Sequence, residues 1–380
     1  MNTIYLDHAA TSSVAPEVID VFADALAEVS GNASSIHAAG RNARKVLDEA
    51  RVTLAKKIQA KPSEIIFTSG GTEADNTAIF GTAYARQHEG KHIITTEIEH
   101  HAVLHACEKL AKEGYDITYL PVDKTGRVAV EDVQKALRDD TILVTIMFGN
   151  NEVGTIQPIA EIGALLENHQ AAFHTDAVQA FGLEKIDVEA MHIDLLSVSA
   201  HKINGPKGIG FLYAKQGVKL ANLMYGGSQE KKRRAGTENV PAIVAFAKAA
   251  ELAEQKATER KIRYKQFKNI LIEEFEAANI AYKVNGHEEA VLAHVLNVTF
   301  PGTDVESFLI NLDMAGVLVS SGSACTAGSI DPSHVLVAMF GENSPELRSS
   351  IRFSFGLGLT DELVREAGQR TAAIVKRLVQ

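Results

Sequence analysis

Several features that are common in secreted and membrane proteins are scarce in this sequence. Its 380 residues include only two cysteines, Cys107 and Cys325, which cannot form a disulfide framework. The longest apolar runs have the length of a strand and fall far short of a bilayer span. The beginning of the chain shows no basic region followed by an apolar block. We therefore expect a protein of the reducing cytoplasm, with no signal peptide and no membrane association.

Signals for nucleic acid and for metal are weak as well. The net charge of −10 disfavours general attraction to nucleic acid or to anionic membranes. His100, His101 and His105 cluster in EIEHHAVLHAC, and the last two have a spacing that could share a metal on a helix. No HExxH motif and no further ligand at metal-site spacing follow. We predict no metal site, with His101 and His105 on a helix surface and Cys107 as a small buried hydrophobe.

The chain alternates strand and helix patterns over its first two-thirds. Short apolar runs (EIIFTS, KHIITTE, ITYLPV, TILVTIMF, AAFHTDA and DLLSVSA) separate amphipathic helices. This alternation predicts an α/β fold with a mostly parallel sheet covered on both faces. Pro241 opens one long helical pattern that runs towards Phe275 without an internal glycine or proline. Beyond it we expect a smaller α+β unit, with the domain boundary near Ala250.

The segment SVSAHKINGPKGIG places Lys202 just past an apolar strand and before a glycine-rich turn. Burial lowers the pKa of a lysine, and the neutral amine is the form that attacks a carbonyl carbon. The position of Lys202 therefore indicates a lysine that forms a Schiff base.

The second strong signal is Cys325 in VLVSSGSACTAGSIDPSHVL, where only small residues surround it. From Ser320 to Pro332 is about a dozen residues, and half of that length, extended, reaches on the order of 20 Å. An exposed free thiol is a liability in a cytosolic protein unless its reactivity is used. We predict that Cys325 is a reactive thiol on a tether.

Other polar groups leave two interpretations open. FTSGGTEADN forms either a phosphate site at a helix start or a plain turn that Thr72 caps. Asp176 in FHTDAVQAFG pairs with a ring-nitrogen cation or caps a helix, and Gln179 is placed to donate to a neighbouring ring oxygen. His100, at the carboxyl end of a strand, faces a cofactor. Arg352 in SIRFSFG clamps a carboxylate or pairs with a surface acid.

Taken together, these motifs resemble those of the NifS/IscS-like cysteine desulfurases, pyridoxal-phosphate enzymes of the class V aminotransferase family. The resemblance runs from YLDHAAT at Tyr5 to the final helix, through GNASSIHAAGR, FTSGGTEADN, TEIEHHAVL, NNEVGTIQPI, HTDAVQ, SAHKINGPKG, RRAGTEN, SSGSACTAG and SIRFS. It implies fold type I, with a seven-stranded, mostly parallel sheet in a large domain of residues 16–250. Residues 1–15 and 251–380 would form the smaller α+β domain that carries the cysteine loop.

The resemblance also assigns roles within a homodimer. Lys202 would hold the cofactor as a Schiff base, Asp176 would pair with the ring nitrogen, Gln179 would bond the ring hydroxyl, and His100 would stack on the ring as an acid/base. Gly71, Thr72, Ser199, His201 and the neighbouring subunit's own copy of Thr237 would bind the phosphate. Asn151 would contact both cofactor and substrate, with Asn32 and Arg352 at the substrate end and Arg352 on the carboxylate of L-cysteine.

The reaction that the resemblance implies converts L-cysteine to L-alanine and leaves a persulfide on Cys325. That sulfur would pass to an acceptor protein: a cluster scaffold, a tRNA thiolase or a sulfur carrier. Cys325 could also serve as a transient iron–sulfur ligand. Ala33, Lys231, Lys232 and Leu357 depart from the family's usual residues, all outside the catalytic set.

Three alternatives are weaker. They are an aminotransferase or selenocysteine lyase of the same fold, a non-enzymatic scaffold, and a zinc hydrolase built on His100, His101 and His105. Aminotransfer would not need Cys325 on a tether.

Overall fold

The structure is a computed structural model that describes residues 3–321 and 332–379. The strands are β1 Ile4–Tyr5, β2 Ile65–Thr68, β3 His92–Thr96, β4 Asp116–Leu120, β5 Thr141–Thr145, β6 Ala172–Asp176, β7 Leu195–Ser199, β8 Gly210–Ala214, β9 Lys283–Asn285, β10 Val295–Thr299, β11 Val317–Leu318 and β12 Ser350–Ser354. The helices are α1 Pro16–Glu28, α2 Ala38–Lys56, α3 Gly71–Arg86, α4 His101–Lys112, α5 Val130–Ala136, α6 Ile159–Leu166, α7 Gln229–Lys232, α8 Val240–Gln255, α9 Ala257–Ala277, α10 Val305–Met314, α11 His334–Phe340 and α12 Asp361–Val379.

The largest sheet has seven strands in the order β2-β8-β7-β6-β5-β3-β4. Strand β8 is antiparallel to both neighbours, so β2 runs in the same direction as β7 and the parallel strands beyond it. The α/β fold with a mostly parallel sheet is thus confirmed. Strand β8 was not among the six predicted strands because its sequence merges with the glycine-rich turn. Gly210 is required there, since a Cβ would lie 2.3 Å from the Val198 carbonyl oxygen.

Helices cover both faces of this sheet: successive side chains of a strand point to opposite faces, and both sets are buried. Phe67 and Phe211 point into a cluster that includes residues of α1, α2 and α8. Their neighbours Ile66 and Leu212 point the other way, into a cluster with α3 and α4. All five strands β3, β5, β6, β7 and β8 are buried along their whole length, which is typical of a sheet covered on two sides.

A second unit forms around the antiparallel sheet β12-β10-β9. Helices α9, α10 and α12 pack with it around a separate aromatic cluster that contains Phe267, Phe275, Phe300, Phe308 and Phe353. The first strand, β1, pairs in parallel with β11 and joins this cluster through Ile4. The domain boundaries given above remain a prediction.

The long helix expected between Pro241 and Phe275 is two helices in the structure. Helix α8 ends at Gln255, and Lys256, with φ −103° and ψ 5°, separates it from α9. The alanine-rich α8 packs against α1 and α2, whereas α9 packs against α12. The break therefore falls where the chain leaves one apolar core and enters the other. None of the helices in the described parts of the chain is long and apolar enough to cross a bilayer.

Candidate active site

A cavity of about 360 Å³ opens at the carboxyl ends of the central strands. Strands β2, β7, β6, β5 and β3 point the same way, so the residues that follow them meet at one edge of the sheet. The predicted site residues that line it are Gly71, Thr72, His100, Asn151, Asp176, Gln179, Ser199, His201, Lys202 and Arg352. Sequence reading could name these residues, and the sheet brings them to one place.

Lys202 lies at the end of a short 3₁₀ helix, Ala200–Lys202, directly after β7. Its Nζ donates to the carbonyl oxygens of Ala9 and Ala10, the latter at 2.8 Å. Burial, reinforced by the positive charge of Arg352, lowers the pKa of Lys202 to about 8. A substantial fraction of the amine is therefore neutral near physiological pH, which is the state that attacks a carbonyl carbon.

Asp176 is the last residue of β6, and its Oδ1 accepts a hydrogen bond from the Val178 amide at 2.9 Å. This contact closes a local turn, and no helix begins there. Burial raises the pKa of Asp176, while His100 and Lys202 act in the opposite direction. A second carboxyl, Asp75 of α3, is also buried, and burial together with the charge of Asp176 holds its pKa well above the ordinary value.

His100 is the N-cap of α4, where its Nδ1 accepts from the Ala102 amide at 3.1 Å. An imidazole that accepts at Nδ1 carries its proton on Nε2 when neutral. Desolvation lowers the pKa of His100, while the charge of Asp176 acts in the opposite direction. The rings of His101 and His105 stack with their centroids 5.0 Å apart on the exposed side of α4, and neither residue lines the cavity.

The start of α3 lies at one end of the cavity, where it could hold an anion. The N-cap is Gly70, so Thr72 does not cap the helix as one interpretation held; it lies in the first turn. Gly70 has φ +153°, a conformation that side chains rarely adopt. Free amides at a helix start bind phosphate. Ser199 and His201, whose Nδ1 lies 3.1 Å from Thr11 Oγ1, line the same cavity.

At the other end lies Arg352 of β12, whose guanidinium is buried. Its Nη1 donates to the Asn151 carbonyl at 2.9 Å, and its Nη2 pairs with Asp7 Oδ1 at 2.7 Å. Its Nε has no partner within the described residues. Arg352 lines the cavity, and a guanidinium there is suited to binding a carboxylate.

Two predicted site residues do not line the cavity. Asn32 is exposed, and its Oδ1 accepts from the Ser34 amide. Thr237 is exposed as well. Arg44 of α2 links their two loops, since it donates to the Ala33 carbonyl at 3.1 Å and lies 3.4 Å from Glu238. The two loops therefore share one face of the molecule. The prediction for Cys325 lies outside the described residues.

Sequence reasoning missed four parts of the site. Asp75 sits within the quoted motif FTSGGTEADN but had no role. The other three parts belong to YLDHAAT. They are Asp7, which pairs with Arg352, and Ala9 and Ala10, whose carbonyl groups accept from Lys202. A backbone acceptor leaves no signature in side-chain chemistry, so only the structure could reveal it.

One cluster of possible metal ligands occurs in the described parts of the chain. Asp75, His100 and Asp176 each offer an atom, and these atoms lie within 4.8 Å of one another. All three line the cavity. They therefore belong to the site already described, and the absence of a metal site remains a prediction.

The cavity's residues fit pyridoxal phosphate. The ring needs a lysine for its aldehyde, an acid for its nitrogen and an anion cradle for its phosphate. Lys202, Asp176 and the start of α3 supply these three groups around one cavity. The fold and this cavity define a pyridoxal-phosphate enzyme of fold type I.

Comparisons with known proteins identify the family. The profile of the family "Aminotransferase class-V" matches residues 4–366. A "Putative cysteine desulfurase IscS 1" of Bacillus subtilis is 61% identical over 100% of both chains, and a "Cysteine desulfurase IscS" of Methanosarcina thermophila is 47% identical over 99% of this chain and 92% of its own. A solved structure titled "NIFS-LIKE PROTEIN" superposes with a TM-score of 0.92 at 33% identity, over 99% of this chain and 100% of its own. The chain belongs to the class V aminotransferase family, among its NifS/IscS-like members.

Proposed function

We propose that the cavity around Lys202 is the site at which this chain acts on L-cysteine. The chain is a pyridoxal-phosphate-dependent cysteine desulfurase, which removes sulfur from L-cysteine and leaves L-alanine. We place the site here because Lys202, Asp176 and His100 all line this one cavity. When bound, pyridoxal phosphate withdraws electrons from the substrate's α-carbon.

Each of three cavity residues has a separate role in the proposed reaction. Lys202, as a neutral amine, attaches the cofactor and later carries the α-proton on Nζ. Asp176 would pair as an anion with the ring nitrogen of the bound cofactor and would favour the protonated form of that nitrogen. The Nε2–H of His100 is available to donate a proton, because Nδ1 is occupied by the Ala102 amide.

The two ends of the cavity orient the ligands. Gly71, Thr72, Ser199 and His201 bind the phosphate, and Gln179 donates to the ring oxygen. Arg352 takes the carboxylate of L-cysteine at the cavity wall that it shares with Asn151. Asp7 fixes the other side of the guanidinium, so the charge of Arg352 is held in place before substrate arrives.

Cys325 is proposed as the nucleophile that accepts the sulfur. Its thiolate attacks the substrate's sulfur, the C–S bond breaks with its electrons left on carbon, and that carbon is protonated as alanine forms. Ser320, before the undescribed segment, lines the cavity. Ser333, after it, hydrogen-bonds Glu152, which adjoins the cavity residue Asn151.

A homodimer is proposed because the face that carries Asn32 and Thr237 also exposes large apolar side chains. Ile36 is 91% exposed and Tyr225 is 84% exposed. Thr237 would reach the partner's phosphate site across this face. The persulfide would pass to a sulfur acceptor, for which we propose a cluster scaffold, a tRNA thiolase or a sulfur carrier.

The experiment that tests the assignment follows cofactor and sulfur separately in the purified full chain. The protein should carry a visible absorption band that borohydride abolishes, and, with a thiol reductant present to reduce the persulfide, should release alanine and sulfide from L-cysteine. Lys202→Ala should lose both band and activity. Cys325→Ser should keep the band and lose sulfide release.

The matched control is the other cysteine. Burial raises the pKa of Cys107 to about 12, so its thiol is inert at neutral pH. Cys107→Ser should therefore retain both band and activity. Full sulfide release by Cys325→Ser would overturn the proposed role of Cys325, and a colourless protein that binds no pyridoxal phosphate would overturn the site.

A further inference from the structure

A buried histidine behind the cavity makes a contact that the proposed mechanism has not used. His294 lies immediately before β10, and its Nε2 is 3.0 Å from Oε1 of Gln179. Both side chains are buried. The Phe355 amide donates to the His294 carbonyl at 2.9 Å, which fixes the backbone of His294 beside the end of β12.

The partners on either side settle which atoms donate. The Nε2 of Gln179 donates to the Ala9 carbonyl at 2.9 Å, and a carbonyl can only accept. The carboxamide oxygen of Gln179 must then face His294, so His294 must carry its proton on Nε2. The amide orientation is fixed at both ends.

This orientation leaves one group free. Within residues 3–321 and 332–379, the second hydrogen of the Gln179 amide has no acceptor, and Gln179 lines the cavity. The cavity is therefore offered an N–H donor rather than an oxygen. The Ala9 carbonyl also accepts a hydrogen bond from Lys202 Nζ. The Gln179 amide and the Lys202 amine are therefore held by the same carbonyl group.

We propose that His294 is a positioning residue for the cofactor: as an Nε2–H donor it holds the Gln179 carboxamide so that an N–H faces the cofactor's ring oxygen. The inference rests on the pyridoxal-phosphate binding proposed above. His294 does not touch the cofactor cavity itself and acts through Gln179.

The surroundings of His294 keep it in this donor form. Burial, together with the positive charges of Lys268 and Lys202, lowers the pKa of His294 to about 3. His8 and Arg352 act in the same direction. The ring therefore stays neutral over the working pH range, with one proton to place, and its Nδ1 has no partner among the described residues.

The consequence for the cofactor is a measurable shift in its titration. A hydrogen bond to a charged group stabilises that charged form. With the Gln179 N–H in place, negative charge on the ring oxygen is favoured, and the pH midpoint of the bound cofactor's visible band is low. Loss of the His294 donor should raise that midpoint, and should weaken pyridoxal-phosphate binding by about tenfold, the equivalent of one hydrogen bond.

The test compares His294→Leu with His294→Gln in the full chain. Leucine removes the donor, whereas the amide of glutamine can place an N–H near the position of the histidine Nε2. We expect His294→Leu to raise the pH midpoint by about one unit and to weaken cofactor binding. We expect His294→Gln to restore the affinity to within about threefold of the unmodified protein and to return the midpoint close to its unmodified value. Both are read by absorbance and by titration of the cofactor-free protein, without an activity assay.

His92→Leu is the control for loss of a buried histidine. His92 bonds Thr141 and Thr118 at the start of β3, the end of the sheet away from the cavity. It should lower thermal stability and leave midpoint and affinity unchanged. If His294→Leu does not fold, His294→Asn, whose amide is too short to reach Gln179, takes its place with the same expected shifts.

Two results would overturn the proposal. One is an unchanged midpoint and affinity in the donor-free variant. The other is an equal shift in His294→Gln, which would show that packing rather than the donated hydrogen bond matters. Either result leaves cofactor binding and desulfurase activity of the unmodified protein intact, whereas failure of the proposed site would remove cofactor binding from that protein.

Discussion

Lys202 shows how the fold changes the chemistry of one side chain. An exposed lysine is almost fully protonated at neutral pH. In this protein burial makes the charged form unfavourable, and the nearby Arg352 adds to the effect. Two backbone carbonyls still hold the amine in place. Position and protonation state are thus set by the same pocket.

We predict that covalent attachment of pyridoxal phosphate to the cofactor-free protein depends on pH with a midpoint near 8. The pKa of Lys202 is lowered to about 8, so the fraction of the amine that is neutral and reactive increases as pH rises through that value. Stopped-flow absorbance between pH 6.5 and 9.5 measures the rate. A midpoint above 10, the value of an ordinary lysine, would contradict the prediction.

Glu99 is a second residue whose ionisation the fold controls. Its carboxyl is fully buried below the cavity, where Oε1 accepts from Thr96 Oγ1 at 2.7 Å and from the Met147 amide at 2.9 Å. Its Oε2 has no partner within the described residues. Burial raises the pKa of Glu99 to about 8.

This shift predicts that Glu99→Gln gains stability relative to the unmodified protein as pH rises from 5 to 8. In that interval the folded protein keeps the proton and the unfolded chain has lost it, so the unmodified protein loses about 1.4 kcal/mol per pH unit at this site. Glutamine has no such dependence. Urea unfolding at three pH values measures the difference, and a constant difference would refute the assigned pKa.

At the scale of elements, α7 carries a strained backbone conformation. Glu230, Lys231 and Lys232 have φ of +46°, +57° and +67°. Glu230 is held there because Arg51 pairs with it at 2.6 Å. Lys232 is one of the departures from the family's usual residues, and it occupies a backbone region that favours glycine.

Lys232→Gly should therefore stabilise the protein by about 1 kcal/mol, because glycine adopts this conformation without steric cost. The matched control is Lys45→Gly within α2, where glycine should cost about 1 kcal/mol. Chemical unfolding of both variants gives the free energies. Destabilisation by Lys232→Gly would show that the left-handed turn is not strained.

At the scale of the whole molecule, the site is divided between units. Strand ends of the large sheet supply Lys202 and Asp176, while β12 supplies Arg352 and the residue before β10 supplies His294. Thr237 is exposed and is not among the residues that line the cavity of its own chain. We propose that a second copy of the chain completes the site.

Mixed dimers test this division. Thr237→Ala and Lys202→Ala each impair every site of their own homodimer, but a mixed dimer contains one intact site. Unfolding and refolding an equal mixture should restore about a quarter of the unmodified activity at limiting pyridoxal phosphate. Activity no higher than the average of the two variants alone would contradict a shared site.

The sequence by itself determined the alternation of helix and strand and the family, and it singled out Lys202, Asp176, His100 and Arg352 as candidate site residues, which line one cavity in the structure. Those features are local, because periodicity and motif spacing lie within short stretches of chain. It did not give β8, the break at Lys256, the pairing of Arg352 with Asp7, or the Ala9 carbonyl shared by Lys202 and Gln179. Only the tertiary structure decided these, because each depends on groups far apart in sequence that meet when the sheet orders its strands and buries them away from water.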